Sequence, residues 1–351
     1  MFGWETARRS QVLLERGAHE SLGLCDVGGL RVGYVDGGGG EGGALTRHNK
    51  TMDGFVARIW RVATWLRDHL DEHHETAALA KMAGVSERNF HRLFLKTLGE
   101  TPQAHVHRLR LERAAAWLAY TQLPTIQAAL NGVYESREGF TRAFHVHFGC
   151  TPREFRQRVR DMAAQTPARC PGELGAPYET TLPPLRLAAW PHRGSAFGAA
   201  TAWLKLGAWG ARTGVLTPHA FAITVLHDDD GIVPSDFART DAALALGPSQ
   251  EPPSGGGLPF VYELEGGRHV AIPYEGSFGA LERAWDYVAF RWFPASGFSL
   301  RSTRMLMLHD PHDVPTTPQQ RVHLLLSRTL RCRLCIPIDS VPGRGIPPIH
   351  G

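Results

Sequence analysis

No stretch of this chain is apolar for long enough to cross a membrane as a helix, and the N-terminus lacks the basic-then-apolar segment that directs secretion. A cytoplasmic location with no membrane partner is therefore expected. Cysteine is scarce: five residues in 351, at irregular spacing, make no disulfide framework. Cys332 and Cys335 form a lone C-x-x-C with no second pair and no spaced histidines, whereas a structural zinc needs four ligands. His105/His107 and His145/His147 stand two positions apart, so on helices each pair diverges instead of closing on a metal. Neither a metal nor another cofactor is expected.

Charge is present but unevenly spread. Between Thr76 and Arg160 thirteen Lys and Arg face six acids, a balance of +7, which leaves −3 for the rest of a chain whose formal charge is +4. A basic segment joined to a slightly acidic remainder favours a polyanion for the first and a different task for the second. The length of 351 residues likewise exceeds one ordinary core and suggests two domains.

The basic segment repeats itself. At an offset of 50 the pairs Ser86/Ser136, Phe90/Phe140, Arg92/Arg142, Phe94/Phe144, Gly99/Gly149, Thr101/Thr151 and Pro102/Pro152 are identical. Thr76, Leu79, Ala80 and Ala83 mark a short helix, Gly84 a turn, and Ser86 the cap of a second helix. In that helix Phe90, Leu93 and Phe94 fall at i, i+3 and i+4 and face a core, which leaves Arg88, His91 and Arg92 outward. In the second copy Phe140, Ala143 and Phe144 face inward, and Arg137, Glu138, Thr141 and Arg142 outward. Arginines one turn apart on an exposed helix can each offer guanine two hydrogen bonds in a major groove, and Lys96 is placed for a phosphate. A helix from Pro102 to about Tyr120 would join the copies.

The rest of the chain changes character. Residues 1–51 include a Gly-rich stretch, Gly37 to Gly43, and read as a flexible extension, with Met52 an alternative start. Helical spacing then begins at Phe55, Ile59, Val62, Leu66 and Leu70. The organisation expected is a helical DNA-binding domain over 52–162, a linker over 163–184, an α+β domain over 185–326 and an unassigned tail over 327–351. The α+β domain repeats at an offset of 82, as in Pro191/Pro273, Gly194/Gly276, Trp203/Trp285, Leu226/Leu308, His227/His309 and Asp228/Asp310. Each copy reads strand, helix, strand, strand, and two copies would enclose a cleft.

The stretch from about Leu70 to Val159 resembles the DNA-binding domain of AraC/XylS-type transcription regulators, whose hallmark R-x-F-x-x-x-F-G-x-x-P stands here as Arg142, Phe144, Phe148, Gly149 and Pro152. The resemblance implies a multidomain α and α+β protein, with an all-α tandem helix-turn-helix domain. It implies base reading by Arg88, His91 and Arg92 in the first unit and by Arg137, Glu138 and Arg142 in the second. One departure is Asn131, Gly132, Val133, Tyr134, where Val133 takes a position usually held by glycine and makes readout by the second unit less certain. Residues Leu185 to about Leu326 are similar to the GyrI-like effector-binding domain, here a duplicated β-α-β-β fold. Trp190, Trp203, Tyr274, Trp285, Trp292 and Met305 are the candidates to line its cleft, about half of them touching ligand.

In that family a buried glutamate meets cationic ligands; in this chain the position falls on Met305, which favours a neutral apolar effector. The partners expected are double-stranded DNA and a small hydrophobic effector, with RNA polymerase a further candidate. Arginine so outnumbers lysine, which occurs only at 50, 81, 96 and 205, that a GC-rich bacterial genome is expected. The function expected is a transcription regulator and not an enzyme, Ser195 and Ser277 being turn residues. The competing reading is a sequestering or hydrolytic GyrI-like protein with residual DNA binding.

Overall fold

The computed structural model describes residues 43–121, 134, 136–167, 173–229, 231–234, 236–248, 250, 258–301, 304–320, 329–340, 346 and 348–349, with side chains from Gly54 onward. The chain divides into two compact units, Met1–Asn49 and Lys50–Gly351. The first is described only in the opening turns of helix α1 (Gly43–Asp68). That helix begins well before Met52, so residues 43–51 depart from the flexible extension expected of them. They are polar and carry no apolar period, yet once a helix is nucleated each added residue gains a hydrogen bond.

Among the described residues five more helices follow: α2 (Thr76–Ala83), α3 (Glu87–Leu98), α4 (Pro102–Tyr120), α5 (Arg137–Phe148) and α6 (Pro152–Gln165). Gly84, Gly99 and Gly149 close α2, α3 and α5 with φ of 66°, 74° and 68°, a left-handed conformation that glycine adopts without a Cβ clash. Thr101, Ser136 and Thr151 cap α4, α5 and α6 through their hydroxyls, and Thr151 with Glu154 forms a capping box. Ser86, before α3, and Glu75, before α2, have the extended backbone of a cap, but their side chains make no capping hydrogen bond. The expected turn at Asn131, Gly132 and Val133 lies outside the described residues. Among the described residues no helix is long and apolar enough to cross a membrane.

The second half is one antiparallel sheet. Its strands are β1 (Tyr178–Leu182), β2 (Leu185–Arg193), β3 (Ala222–Leu226), β4 (Arg239–Ala245), β5 (Phe260–Leu264), β6 (Gly267–Gly276), β7 (Ser299–Leu300), β8 (Met305–His309) and β9 (Leu330–Ser340). They run in the order β1-β6-β9-β8-β3-β4-β2-β5, with β7 on β9. Helices α7 (Ala200–Thr213), α8 (Phe278–Asp286) and α9 (Phe293–Ser296) accompany it. Between α8 and α9 the chain forms a π-helical segment, Tyr287–Trp292, in which the Phe293 N–H reaches the Val288 carbonyl. Pro294, which has no N–H to give Phe290, follows at once.

Three sequence expectations change here. Helix α6 runs to Gln165, and β1 lies within the stretch read as linker. The tail beyond 326, assigned no fold, contains β9, which pairs with both β6 and β8 near the centre of the sheet. Its alternation of Leu330, Cys332 and Leu334 with exposed Arg331 and Arg333 is a half-buried strand pattern, obscured by Pro337. Last, the offset of 82 holds for β2 and β6, where Ala189 and Ala271 share a face, but fails at β3 and β8. Leu226 packs with Met305 and Met307, whereas its counterpart Leu308 packs with Ile223 and Val225 on the opposite face. A register shift of one residue turns every side chain over, so the two His-Asp strand ends are not equivalent.

Among the described residues the apolar core falls into three clusters, a small one under α7 and two larger ones. One joins α1, α2, α3 and the first half of α4 to the sheet face that carries Leu187, Ile223, Val225 and Leu306. The other joins the second half of α4, α5 and α6 to the opposite face, with Leu226, Met305, Met307, Leu334 and the π-helical segment. Helix α4 threads both.

Candidate nucleic-acid interface and ligand cavities

The basic helices follow their spacing. In α3 Phe90, Leu93, Phe94 and Leu98 are buried, while Arg88, Arg92 and Lys96 are exposed and His91 is half-buried. In α5 Phe140 and Phe144 are buried, Arg137, Glu138 and Arg142 are exposed, and Thr141 is half-buried with its hydroxyl donating to the Arg137 carbonyl at 2.8 Å. Arg92 donates to Asn89 Oδ1 at 3.3 Å, a contact along its own helix. Each helix thus presents two arginines at i and i+4 or i+5 on a surface free of other elements' hydrogen bonds to them among those described. The geometry suits groove entry by both.

Below α3 a buried charge cluster ties turn to helix. Glu100 receives His105 Nδ1 at 2.7 Å and Arg108 Nη2 at 2.6 Å, and Arg108 Nη1 reaches Glu112 at 2.6 Å. Burial opposes ionisation of Glu100, but the bonds from His105 and Arg108 outweigh it and bring its pKa down to about 2. Burial holds His105 neutral, down to about 4. Sequence reading placed no charge in this core.

A second cluster fastens α1 to the sheet. Arg67 Nη1 meets Asp228 Oδ1 at 2.8 Å, and Arg239 donates to Asp241 at 2.7 Å and to Thr64 Oγ1 at 2.7 Å, its guanidinium 4.7 Å from the Trp60 ring. His227 Nε2 completes the group, 2.8 Å from Asp241 Oδ2. Burial, helped by the Arg239 charge, keeps His227 neutral, with a pKa of about 3. Burial acts against Asp241 too, but Arg239 and His227 hold it ionised. The histidine–aspartate pair is therefore His227 with Asp241 across adjacent strands, turned toward α1. Partners some 160 positions apart leave no sequence signal.

On the other face two cavities adjoin. The outer, with about 680 Å³ of space open to solvent, is lined by Arg67, Glu112, Arg113, Ala116, Tyr120, Ala196, Leu226, His227, Asp228, Asp229, Ile232, Val233, Trp285, Met305 and Met307. The inner, with about 660 Å³ that likewise includes space open to solvent, lies among Ala196, Ala199, Ala200, Trp203, Thr224, Phe278, Leu281, Met307, His309, Asp313, Val314, Pro315 and Leu330. Thr224 Oγ1 and His309 Nε2 bond at 2.7 Å there, and burial lowers His309 to about 4.

Of the six residues expected to line a cleft, Trp203 lies on the inner cavity and Trp285 and Met305 on the outer. The other three are elsewhere. Trp190 packs in the cluster under α7, with Lys205 5.6 Å from its ring. Tyr274 is buried and donates to the Ser277 carbonyl at 2.6 Å, and Trp292 donates to the Pro348 carbonyl at 3.3 Å. Cys332 and Cys335, three positions apart on β9, face opposite sides of the sheet, and burial pushes both thiols up to about 12.

Comparison with known proteins agrees with this division. The helix-turn-helix domain family matches residues 79–158, and the GyrI-like small molecule binding domain family matches residues 176–322. The chain is similar to the RCS-specific transcriptional activator RclR of Escherichia coli (41% identity over 24% of this chain and 30% of that protein). It is also similar to the transcriptional activator RhaS of Escherichia fergusonii (33% identity over 34% and 44%). The matches thus span under half the length of these relatives. Among solved structures, the DNA-binding domain of AdpA in complex with a target DNA matches with 24% identity over 31% of this chain and 97% of that one, at a TM-score of 0.29.

Proposed function

We propose, for a chain that belongs to the AraC-type transcription regulators and carries a GyrI-like small-molecule-binding domain, that a small, largely apolar effector in the sheet domain sets how the two arginine-bearing helices hold DNA. The observation that carries this reading is the continuity of the two cores. Each helix-turn-helix unit shares its apolar cluster with one face of the sheet, so neither unit can shift without the other domain yielding.

Arg88, His91 and Arg92 of α3 and Arg137, Glu138, Thr141 and Arg142 of α5 would read or frame bases, with Lys96 on a phosphate. We read the sheet domain as two strand-helix-strand-strand units, β2-α7-β3-β4 and β6-α8-β8-β9, whose helices flank the cleft. Trp203, Trp285 and Met305 would touch the effector, which the cleft would bind without turning over. A cytoplasmic protein acting at promoters, in reach of RNA polymerase, is the setting this implies.

Selection of bound DNA from a random pool tests the reading. A motif long enough for two half-sites one helical turn apart, roughly 34 Å, is the expected result. A pool that stays random, or a motif filled by one helix alone, would overturn it. Titration of matched neutral and cationic dyes against the wild type and Met305→Glu then tests the apolar character of the cleft. The added carboxylate should move the preference of the cleft toward cations.

A further inference from the structure

The groove over β3 and β8 does not end at the sheet domain. The inner cavity is lined by that domain alone, but the outer one is walled in part by Glu112, Ala116 and Tyr120. These stand at i, i+4 and i+8 on α4 and form one stripe of the helix that lies between α3 and α5 in the chain. Ala196 and Met307 line both cavities, so what separates them is a methyl group and an unbranched, adaptable side chain.

The polar groups differ between the two ends. In the inner cavity Thr224 and His309 bond to each other, 2.7 Å apart. In the outer, Arg67 is held by Asp228 and Arg113 by Asp71, while Asp229 accepts from Tyr120 and from the Gly231 N–H. Glu112 is different. Its Oε2 takes Arg108 at 2.6 Å, but Oε1 is buried with no hydrogen bond, His147 Nε2 standing 3.5 Å away. An unmatched buried acceptor calls for a donor.

We propose that the two cavities form one site for an elongated amphiphile, its apolar chain over Met307 and its head, an ammonium or hydroxyl that donates to Glu112, in contact with α4 of the DNA-binding domain. A carboxylate head would meet Glu112, Asp228 and Asp229, and the two arginines of the lining, Arg67 and Arg113, are engaged by Asp228 and Asp71, so it is disfavoured relative to a donor. The regulatory consequence rests on the function proposed above; the site does not. Its occupant touches the helix that sets the spacing of the two recognition helices.

The test uses the whole chain with octylamine, octanol and octanoate, read by amide deuterium exchange and by the affinity for the selected DNA site. Octylamine and octanol should slow exchange in α4 from Glu112 to Tyr120 as well as in α7 and α8, and octanoate should bind about tenfold more weakly or worse. Ala116→Phe, filling the outer end from the helix side, should weaken octylamine by about tenfold, and Ala116→Val by less, should the larger residue prevent folding. Protection confined to α7 and α8, octanoate binding as tightly as octylamine, or no binding of any of the three overturns the proposal. Protection of α4 with DNA affinity unchanged supports the site and overturns effector control instead.

Discussion

The two helix-turn-helix units share a pattern but are held differently. The first is locked by charge. Arg67, Arg239 and Thr64 tie α1 to Asp228 and Asp241, and Arg193 donates to the Leu98 carbonyl at the end of α3 at 2.9 Å. The second is held more lightly, by Arg291 donating to the Ala163 and Thr166 carbonyls at the end of α6 at 3.2 and 3.1 Å, and by apolar packing on the face that bears the cavities. What fills the cavities lies on the face of the second unit and, at its outer end, also meets Arg67 and Asp228 of the first unit's anchor. Identical arginines on two helices need not respond identically to a ligand.

The sharpest way to break this asymmetry is to remove its charges. Asp241→Ala leaves Arg239 buried without its carboxylate and should cost about 3–5 kcal/mol in urea unfolding. Arg291→Ala forfeits bonds to two carbonyls on a partly exposed arm and should cost about 1–2 kcal/mol. Equal losses would show that the two units are fastened alike.

Acid should weaken the anchor next. His105 and His227, both on the first unit's side, are held neutral with pKa values of about 4 and 3, against an ordinary value of 6.5. The unfolded chain therefore binds protons that the fold refuses as pH drops below 6.5, so each histidine removes up to about 1.4 kcal/mol per pH unit until its own folded value is reached. Glu100, lowered to about 2, adds a loss only below the ordinary carboxylate range. The unfolding midpoint should thus fall from pH 6.5 toward 4. A midpoint unchanged over that window would mean that these imidazoles are charged within the fold.

How much of this was legible in the sequence follows from the range of the interactions. The helices of the basic segment, their glycine ends and their threonine caps are local, and Phe90, Phe94, Phe140 and Phe144 lie buried where a 3.6-residue period puts them. What depended on pairing at a distance was not legible. The strand over Leu330–Ser340 gains its identity from β6 and β8, and the face of Leu308 is set by register against Ile223. The same holds for the cavities. Trp203 and Trp285 were visible as a repeated pair, but Glu112, Ala116 and Tyr120, on what reads as a connecting helix, gave no sign of lining a site.

Base reading gives a comparison of smaller effects. Arg92→Ala and Arg142→Ala should each erase preference at one or two base pairs in opposite halves of the selected site, at about 1–3 kcal/mol apiece. If the second unit takes another placement in the absence of effector, Arg142→Ala will change the motif only when effector is present, whereas Arg92→Ala will change it always. Identical behaviour in both states would argue against a fixed anchor and a movable arm.

The smallest expected effect lies at one pair of equivalent positions. Lys96, exposed near the end of α3, has Val146 as its counterpart at the offset of 50, and Val146 is 85% exposed on α5. A lysine there can neutralise a phosphate, and a valine cannot. Each such contact releases condensed counterions and contributes a slope of about −0.9 to the dependence of log affinity on log salt. Lys96→Ala should therefore make that slope shallower by about 0.9 and weaken all sequences alike, and Val146→Lys should steepen it by about 0.9 with the motif unchanged. Binding measured over a range of salt concentrations separates the outcomes. A steeper slope from Val146→Lys would place the end of α5 beside the backbone as Lys96 places α3, and no change would mean that the second helix approaches DNA at a different tilt.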